Sequence, residues 1–235
     1  MKTLPLVTFT ATLFAAGGVV IAPAQQPSLM DRVAILKTSL AASQNTLRQY
    51  EWIQTTVVSL KGEEKSRKQE RCYYGADGGL QKVEVSASPA PAEKRGLRGK
   101  IIANKKAELT DYMRQAIALV HSYVPPDPAR IQGARDTGRV SIELLEPGKR
   151  GRINFRDYQK PGDNLGIDVD LVNNALLNLS VKTYLANAKD AISLNAQMAS
   201  LNDGTTYAAA ITLNAPAKKV QVVVSNSGYR KMGSQ

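Results

Sequence analysis

The chain of 235 residues has one cysteine and one histidine. A single Cys72 excludes an internal disulfide framework and any cysteine-cluster metal site. A single His121 excludes a zinc helix built on two histidines. No apolar run is long enough to cross a membrane. The densest, Leu13 to Ala22, covers about ten of the roughly 20 residues that a spanning helix needs. There is no Gly-x-Ser-x-Gly nucleophile elbow and no Gly-x4-Gly-Lys-Ser/Thr phosphate loop. Acid is scarce relative to base, with 20 Asp+Glu against 31 Lys+Arg and a formal net charge of +11. The chain is 43% hydrophobic, a globular composition too apolar for a disordered protein.

What is present begins at the N-terminus. Lys2, the apolar stretch and then Ala22-Pro23-Ala24, a small-x-small sequence, form an export signal over residues 1–24. An anchor retained at the N-terminus is the alternative. No cysteine near the cleavage point supports lipid attachment. The mature chain, residues 25–235, is expected to be one exported domain, periplasmic in a bacterium with two membranes, and a monomer. Export decides how the charge is read. A basic protein draws polyanions through fields that salt screens within about 10 Å. Outside the cytoplasm these are anionic lipid head groups or acidic envelope partners, with no nucleic acid expected.

The chain alternates helix, sheet, helix, sheet. From Ser28 to Tyr50, Leu29, Val33, Leu36, Leu40, Leu47 and Tyr50 fall on one face of a helix, with Ser28 as its cap. Trp52 to Lys61, Lys65 to Tyr74 and Leu80 to Ala87 read as strands, the last two joined through Gly75-Ala76-Asp77-Gly78-Gly79. Residues at about 88–100, with Pro89, Pro91 and several basic side chains, read as a flexible basic loop. Ile102 to Val124 is helical and stops at Pro125-Pro126. Asp127-Pro128 starts a short helix through Gln132. Strands follow over Val140–Leu144, Arg152–Tyr158, Leu165–Val172, Leu176–Tyr184, Ile192–Leu201, Thr206–Leu213 and Lys219–Ser225. Turn spacing of 8 to 15 residues predicts a meander with neighbouring strands paired.

This order of export signal, N-terminal helix, long strands, central helices and long antiparallel meander resembles the LolA/LolB-like fold of bacterial lipoprotein carriers and related lipid-binding proteins. The resemblance implies an α+β fold: a curved antiparallel sheet, an open half-barrel, with helices packed on its concave face. It also implies a hydrophobic cavity between the sheet and a helical lid, for a lipid or other hydrophobic ligand such as a lipoprotein acyl chain. It carries no motif residue by residue.

The candidate cavity lining is Trp52, Val58, Leu60, Met113, Ile117, Phe155, Leu177, Leu179 and Met198; each of these also fits ordinary core packing. The candidate contacts to a membrane or other anion are Lys94, Arg95, Arg98, Lys100, Lys105 and Lys106, which lie in a stretch without acid. Lys65, Arg67, Lys68 and Arg71 form a second basic group, and Lys149, Arg150, Arg152 and Arg156 a third. Asp168 and Asp170, two apart on a strand, share one face, read as solvated. Cys72 reads as a small buried residue and His121 as a partly buried structural one. No catalytic residue, cofactor or metal is called for, so the sequence points to a non-enzymatic binding protein. The alternative is an envelope interaction or structural module with a filled core and a basic surface; a hydrolase, which would need a cleft gathering carboxylates or His121, stands behind both.

Overall fold

The computed structural model of the chain describes residues 29–88 and 97–233. The expected export signal, the expected Ser28 cap, Lys94 and Arg95 lie outside the described residues. The elements are α1 (Leu29–Leu47), β1 (Tyr50–Leu60), β2 (Glu63–Tyr74), β3 (Leu80–Ala87), α2 (Leu97–His121), α3 (Pro128–Asp136), β4 (Val140–Glu146), β5 (Arg150–Arg156), β6 (Asn164–Asp170), β7 (Ala175–Tyr184), β8 (Ala191–Ser200), β9 (Thr206–Ala215), a 3-10 turn (Pro216–Lys218) and β10 (Val220–Lys231). No described helix is long and apolar enough to cross a membrane.

Local chemistry sets the boundaries. Between β2 and β3, the Gly75 N–H donates to the Gly79 carbonyl at 2.9 Å, and Gly78 takes a φ of 72° that a side chain would resist. The Asp127 side chain accepts from the Ala129 N–H at 2.8 Å, and Pro128 sits at the first position of α3. That helix runs to Asp136, four residues past the expected end. α2 starts at Leu97, so Arg98 and Lys100 are helical and the expected basic loop is shorter than its sequence suggests. Gly99 marks the segment as a breaker, but one glycine costs a helix only about 1 kcal/mol, and the flanking Leu97, Arg98 and Lys100 are good helix formers.

The ten strands among the described residues form one antiparallel sheet in the order β3-β2-β1-β10-β9-β8-β7-β6-β5-β4. Every pairing joins sequence neighbours except β1 with β10. The edges, β3 and β4, do not meet, so the sheet is open. Its register sorts side chains into transverse rows. One row runs Val140, Phe155, Leu165, Val181, Leu194, Leu213, Val222 and Val58. The next runs Ser141, Asn154, Gly166, Ser180, Asn195, Thr212, Val223 and Val57. From β4 to β9, therefore, one face is apolar and the other is largely Asn, Ser, Thr and charge.

The helices cover the apolar face. α1 packs against β9, β7 and β1, α2 against β8 and α3 against β5. Two separate clusters result. The first joins Leu36, Tyr123, Ile131, Phe155, Leu165 and Val181 with their neighbours. The second joins Ala116 and Val120 of α2 to Ile192, Leu213, Ala215 and Val220. A buried carboxylate pins the end of α2. Asp163, 2% exposed, accepts from the Tyr123 hydroxyl at 2.5 Å and from the backbone N–H groups of Tyr158, Gln159 and Lys160. Burial, with Asp163 beside it, raises the Tyr123 hydroxyl well above its usual range.

Candidate functional site

The helix-facing side of the sheet holds the candidate. Along β1, Thr56, Val58 and Leu60 point to this side; along β10, Val220, Val222 and Val224 do. Val220 is buried, whereas Thr56, Val58, Leu60, Val222 and Val224 are only half-buried. Leu109, Tyr112 and Met113 of α2 lean over the same strip, also half-buried, at the rim of the second cluster. Ile211 and Ala196 continue the strip toward the first cluster, equally half-covered. Among the described residues the apolar face is thus sealed under α2's last turns and under α1 and α3, half-covered along β1 and β10, and exposed at Ile142 and Leu144 of the β4 edge. The hydroxyl of Tyr112 donates to Asp190 at 2.5 Å, which ties α2 to the β7–β8 turn beside this strip. Burial and that carboxylate push the Tyr112 hydroxyl up in pKa.

An aromatic group closes the far end of the strip. The Trp52 ring stacks on Tyr229 at 5.4 Å and lies 6.0 Å from Tyr74, while Tyr229 is 4.4 Å from Tyr207. The Trp52 indole N–H is buried with no hydrogen-bond partner. Between this group and the apolar strip, Gln54 donates to Asn226 at 3.1 Å and forms a polar stop. Cys72, opposite Trp52, is fully buried, and burial pushes its thiol up in pKa, against a nucleophilic role.

The nine lining candidates fall in several places. Val58, Leu60 and Met113 come together at the rim of the second cluster. Phe155 and Leu179, 1% and 5% exposed, are bricks of the first. Trp52 belongs to the aromatic group. Ile117 points outward, 42% exposed. Leu177 and Met198 line a groove toward the opposite face; Met198 also touches the first cluster. A bulge between Asp168 and Val169 leaves Leu177 unpaired, and this turns it out of the core.

That groove, of about 780 Å³, is open and mixed in charge, lined by Glu146, Lys149, Arg150, Asp168, Asp170 and Gln197 among others. Its carboxylates are already engaged. Arg152 grips Asp168 with two bonds of 2.5 and 2.8 Å. Asp170 accepts from Val172, and from both the backbone and side chain of Asn173, which hold its carboxyl below the usual range. Glu146 takes Lys149 at 2.7 Å. Asp168 is correspondingly 4% exposed and not solvated as its strand position suggests: the Arg152 side chain across the ladder covers it. Among the described residues no cluster of His, Cys, Asp and Glu could hold a metal ion. His121 is exposed on the last turn of α2, not partly buried.

The basic groups also separate. Lys65, Arg67, Lys68 and Arg71 are each within ion-pair distance of a glutamate, so the second group is a neutralised ladder. Lys100, Lys105 and Lys106 are exposed on α2. Sequence reading missed Tyr112 and Val222 as rim residues. Only the β1–β10 pairing brings them to Val58, and nothing local announces it.

No protein-family profile and no curated protein sequence matches the chain. Among solved structures the chain is similar to a DUF1329 family protein from Desulfovibrio piger ATCC 29098, at 9% identity and a TM-score of 0.33, covering 85% of this chain and 94% of that one. It is also similar to a LolA superfamily protein from Nitrosomonas europaea, at 8% identity and a TM-score of 0.34, with the same coverage. A third, MucB in complex with MucA(peri), has 9% identity and a TM-score of 0.22, covering 86% and 99%.

Proposed function

We propose that the protein is an exported, non-enzymatic carrier or sensor that holds a hydrophobic ligand, such as a lipid acyl chain, on the open apolar strip between β1, β10 and α2. One observation carries this reading. The sheet's apolar face is two sealed clusters with half-covered Val58, Leu60, Val222, Val224, Leu109 and Met113 beside them. Apolar side chains are left partly wet at a cost of about 25 cal/mol per Å², which an apolar ligand would recover. The test uses the neutral apolar fluorophore N-phenyl-1-naphthylamine on the full mature chain. Saturable, blue-shifted emission that Met113→Asp abolishes is expected, the fold being checked by circular dichroism. No saturable emission from the folded wild type overturns the reading. Lys100, Lys105 and Lys106, with Lys94, Arg95 and Arg98 nearby in sequence, are proposed to meet an anionic membrane surface. Equal sedimentation with phosphatidylglycerol and phosphatidylcholine vesicles would remove that contact.

A second reading, an envelope interaction module, is favoured by the β4 edge, where Ile142 and Leu144 are 60% and 63% exposed. It predicts capture of a protein partner in place of the fluorophore.

A further inference from the structure

The tips at one end of the strip are unusual. Four non-glycine residues have positive φ: Lys61, Asp157, Asn174 and Lys219, among those described. Asp and Asn tolerate this conformation; lysine does not favour it. The two lysines, at φ 56° and 55°, are neighbours, because the Lys61 N–H donates to the Lys219 carbonyl at 2.7 Å. This bond ties the β1–β2 turn to the turn before β10. Glycine would sit at either position without steric cost, and Gly62 follows directly at φ 83°. A charged side chain is therefore held where the backbone prefers none, and such local strain points from an observed outlier to a role.

The location gives that role a chemistry. Leu60 precedes Lys61 and Val220 follows Lys219, and both belong to the second cluster or its rim. Lys218, on the same turn, places its ammonium 5.2 Å from the Tyr112 ring centre, at the rim of the strip, and 3.8 Å from Glu108. Nearby acids are engaged: Glu63 pairs with Lys65 and Glu64 with Arg67. Lys61 lies close enough to Glu63 to help lower its pKa, but Lys61 and Lys219 enter no ion pair among the described residues. Lys61 and Lys219, both exposed and without an ion pair among the described residues, thus stand on the tip that follows the strip, with the weakly paired Lys218 ammonium at its rim. The opposite end closes on the aromatic group and on the Gln54–Asn226 bond, where the Lys82 ammonium is already taken up by Gln54 Oε1 at 2.6 Å.

We infer that the ligand is a single-chain amphiphile with an anionic head, its chain along β1 and β10 and its head at Lys61, Lys218 and Lys219. The inference rests on the proposed carrier reading and adds the sign and position of the head. Lysines are mobile point charges without the planar fork of arginine, so they select charge and not a particular oxyanion geometry.

The test displaces bound N-phenyl-1-naphthylamine with oleate and, separately, with oleyl alcohol, at low salt and below micelle formation. These probes differ in head charge and share the chain. Two or three unit charges acting through water predict that oleate binds about tenfold more tightly than the alcohol. The variant Lys61→Gly/Lys219→Gly relieves both left-handed positions, so it is expected to fold at least as stably. It should bring the preference below about twofold while leaving alcohol affinity unchanged. Added salt should weaken oleate binding in the wild type and not alcohol binding. Equal affinity for the two probes in the wild type, or a preference that survives in the glycine variant, overturns the anionic-head assignment and leaves the apolar strip standing. Displacement by neither probe overturns the carrier reading, and this inference falls with it.

Discussion

Val58 and Val181 lie in the same transverse row of the sheet, on the same face, and they test whether space remains beside β1. Val181 is 0% exposed in the first cluster, whereas Val58 is half-buried at the rim of the second. Substituting either by phenylalanine adds four side-chain carbons in a strand, so strand propensity largely cancels between the two sites. At about 0.8 kcal/mol per buried carbon, covering half of the added ring at Val58 gains about 1.5 kcal/mol, and ordering the larger side chain takes back roughly 0.5 kcal/mol. Val58→Phe should therefore stabilise by about 1 kcal/mol. Val181→Phe has no room and should destabilise by about 1–3 kcal/mol, the usual penalty of overpacking. Urea unfolding followed by the single Trp52 reads both midpoints. Val58→Phe should also weaken binding of N-phenyl-1-naphthylamine, because the new ring occupies the strip. If Val58→Phe costs as much as Val181→Phe, the strip is filled by the protein itself, and the reasoning that makes it a binding site fails.

Two further perturbations probe the frame. The Tyr50 hydroxyl donates to Asp203 at 2.6 Å, a bond that raises the Tyr50 pKa and lowers that of Asp203. A lowered carboxyl contributes stability above its unfolded value near 3.9, lost as pH falls; a raised tyrosine contributes below its unfolded value near 10, lost as pH rises. Tyr50→Phe should flatten the pH profile of Tm at both ends, and profiles parallel to the wild type would refute the linkage. The second concerns the Arg152–Asp168 pair, whose carboxylate side chain is 5% exposed and whose guanidinium is 34% exposed. Arg152→Leu alone leaves a buried carboxylate unpaired and should cost about 3 kcal/mol in urea unfolding; adding Asp168→Leu should return much of that loss. A double variant less stable than the single one would show that the pair stabilises beyond its desolvation.

Most strands were legible because they alternate. β3 runs over the expected Leu80–Ala87, and β4 to β9 fall within two residues of their sequence positions. β10 was not: it extends to Lys231, six residues past the expected end at Ser225, through Asn226, Ser227 and Gly228, of which Asn and Gly are depleted in strands. The register supplies what composition lacks, for a bulge between Glu51 and Ile53 lets β1 keep pairing with β10 past these residues. For the site, alternation placed Val58 and Leu60 on an apolar face, and the helix stripe placed Met113. Neither could distinguish them from Phe155 or Leu179, since periodicity reports which face a residue takes and not how much of that face is covered. The basic groups misled for the same reason. Lys65, Arg67, Lys68 and Arg71 count as four charges in sequence, whereas the β1–β2–β3 ladder and the adjacent turn place a glutamate within reach of each.

The candidate site and the one non-sequential strand pairing coincide, and this has an energetic consequence. β1 and β10 meet across nearly the whole described chain, so their contacts are the ones that loop-closure entropy opposes most. The other ladders form between sequence neighbours and need no such closure. The strip along β1 and β10 is also only half-covered, so the costliest pairing has incomplete packing above it. In a structure whose local openings span a range of free energies, this seam is among the first expected to open. A ligand laid along it would add apolar contacts to both strands and so stabilise the pairing itself. Entry of the chain and closure of the seam are then one coupled equilibrium, in which ligand occupancy should slow amide exchange along β1 and β10 more than along β5 and β6.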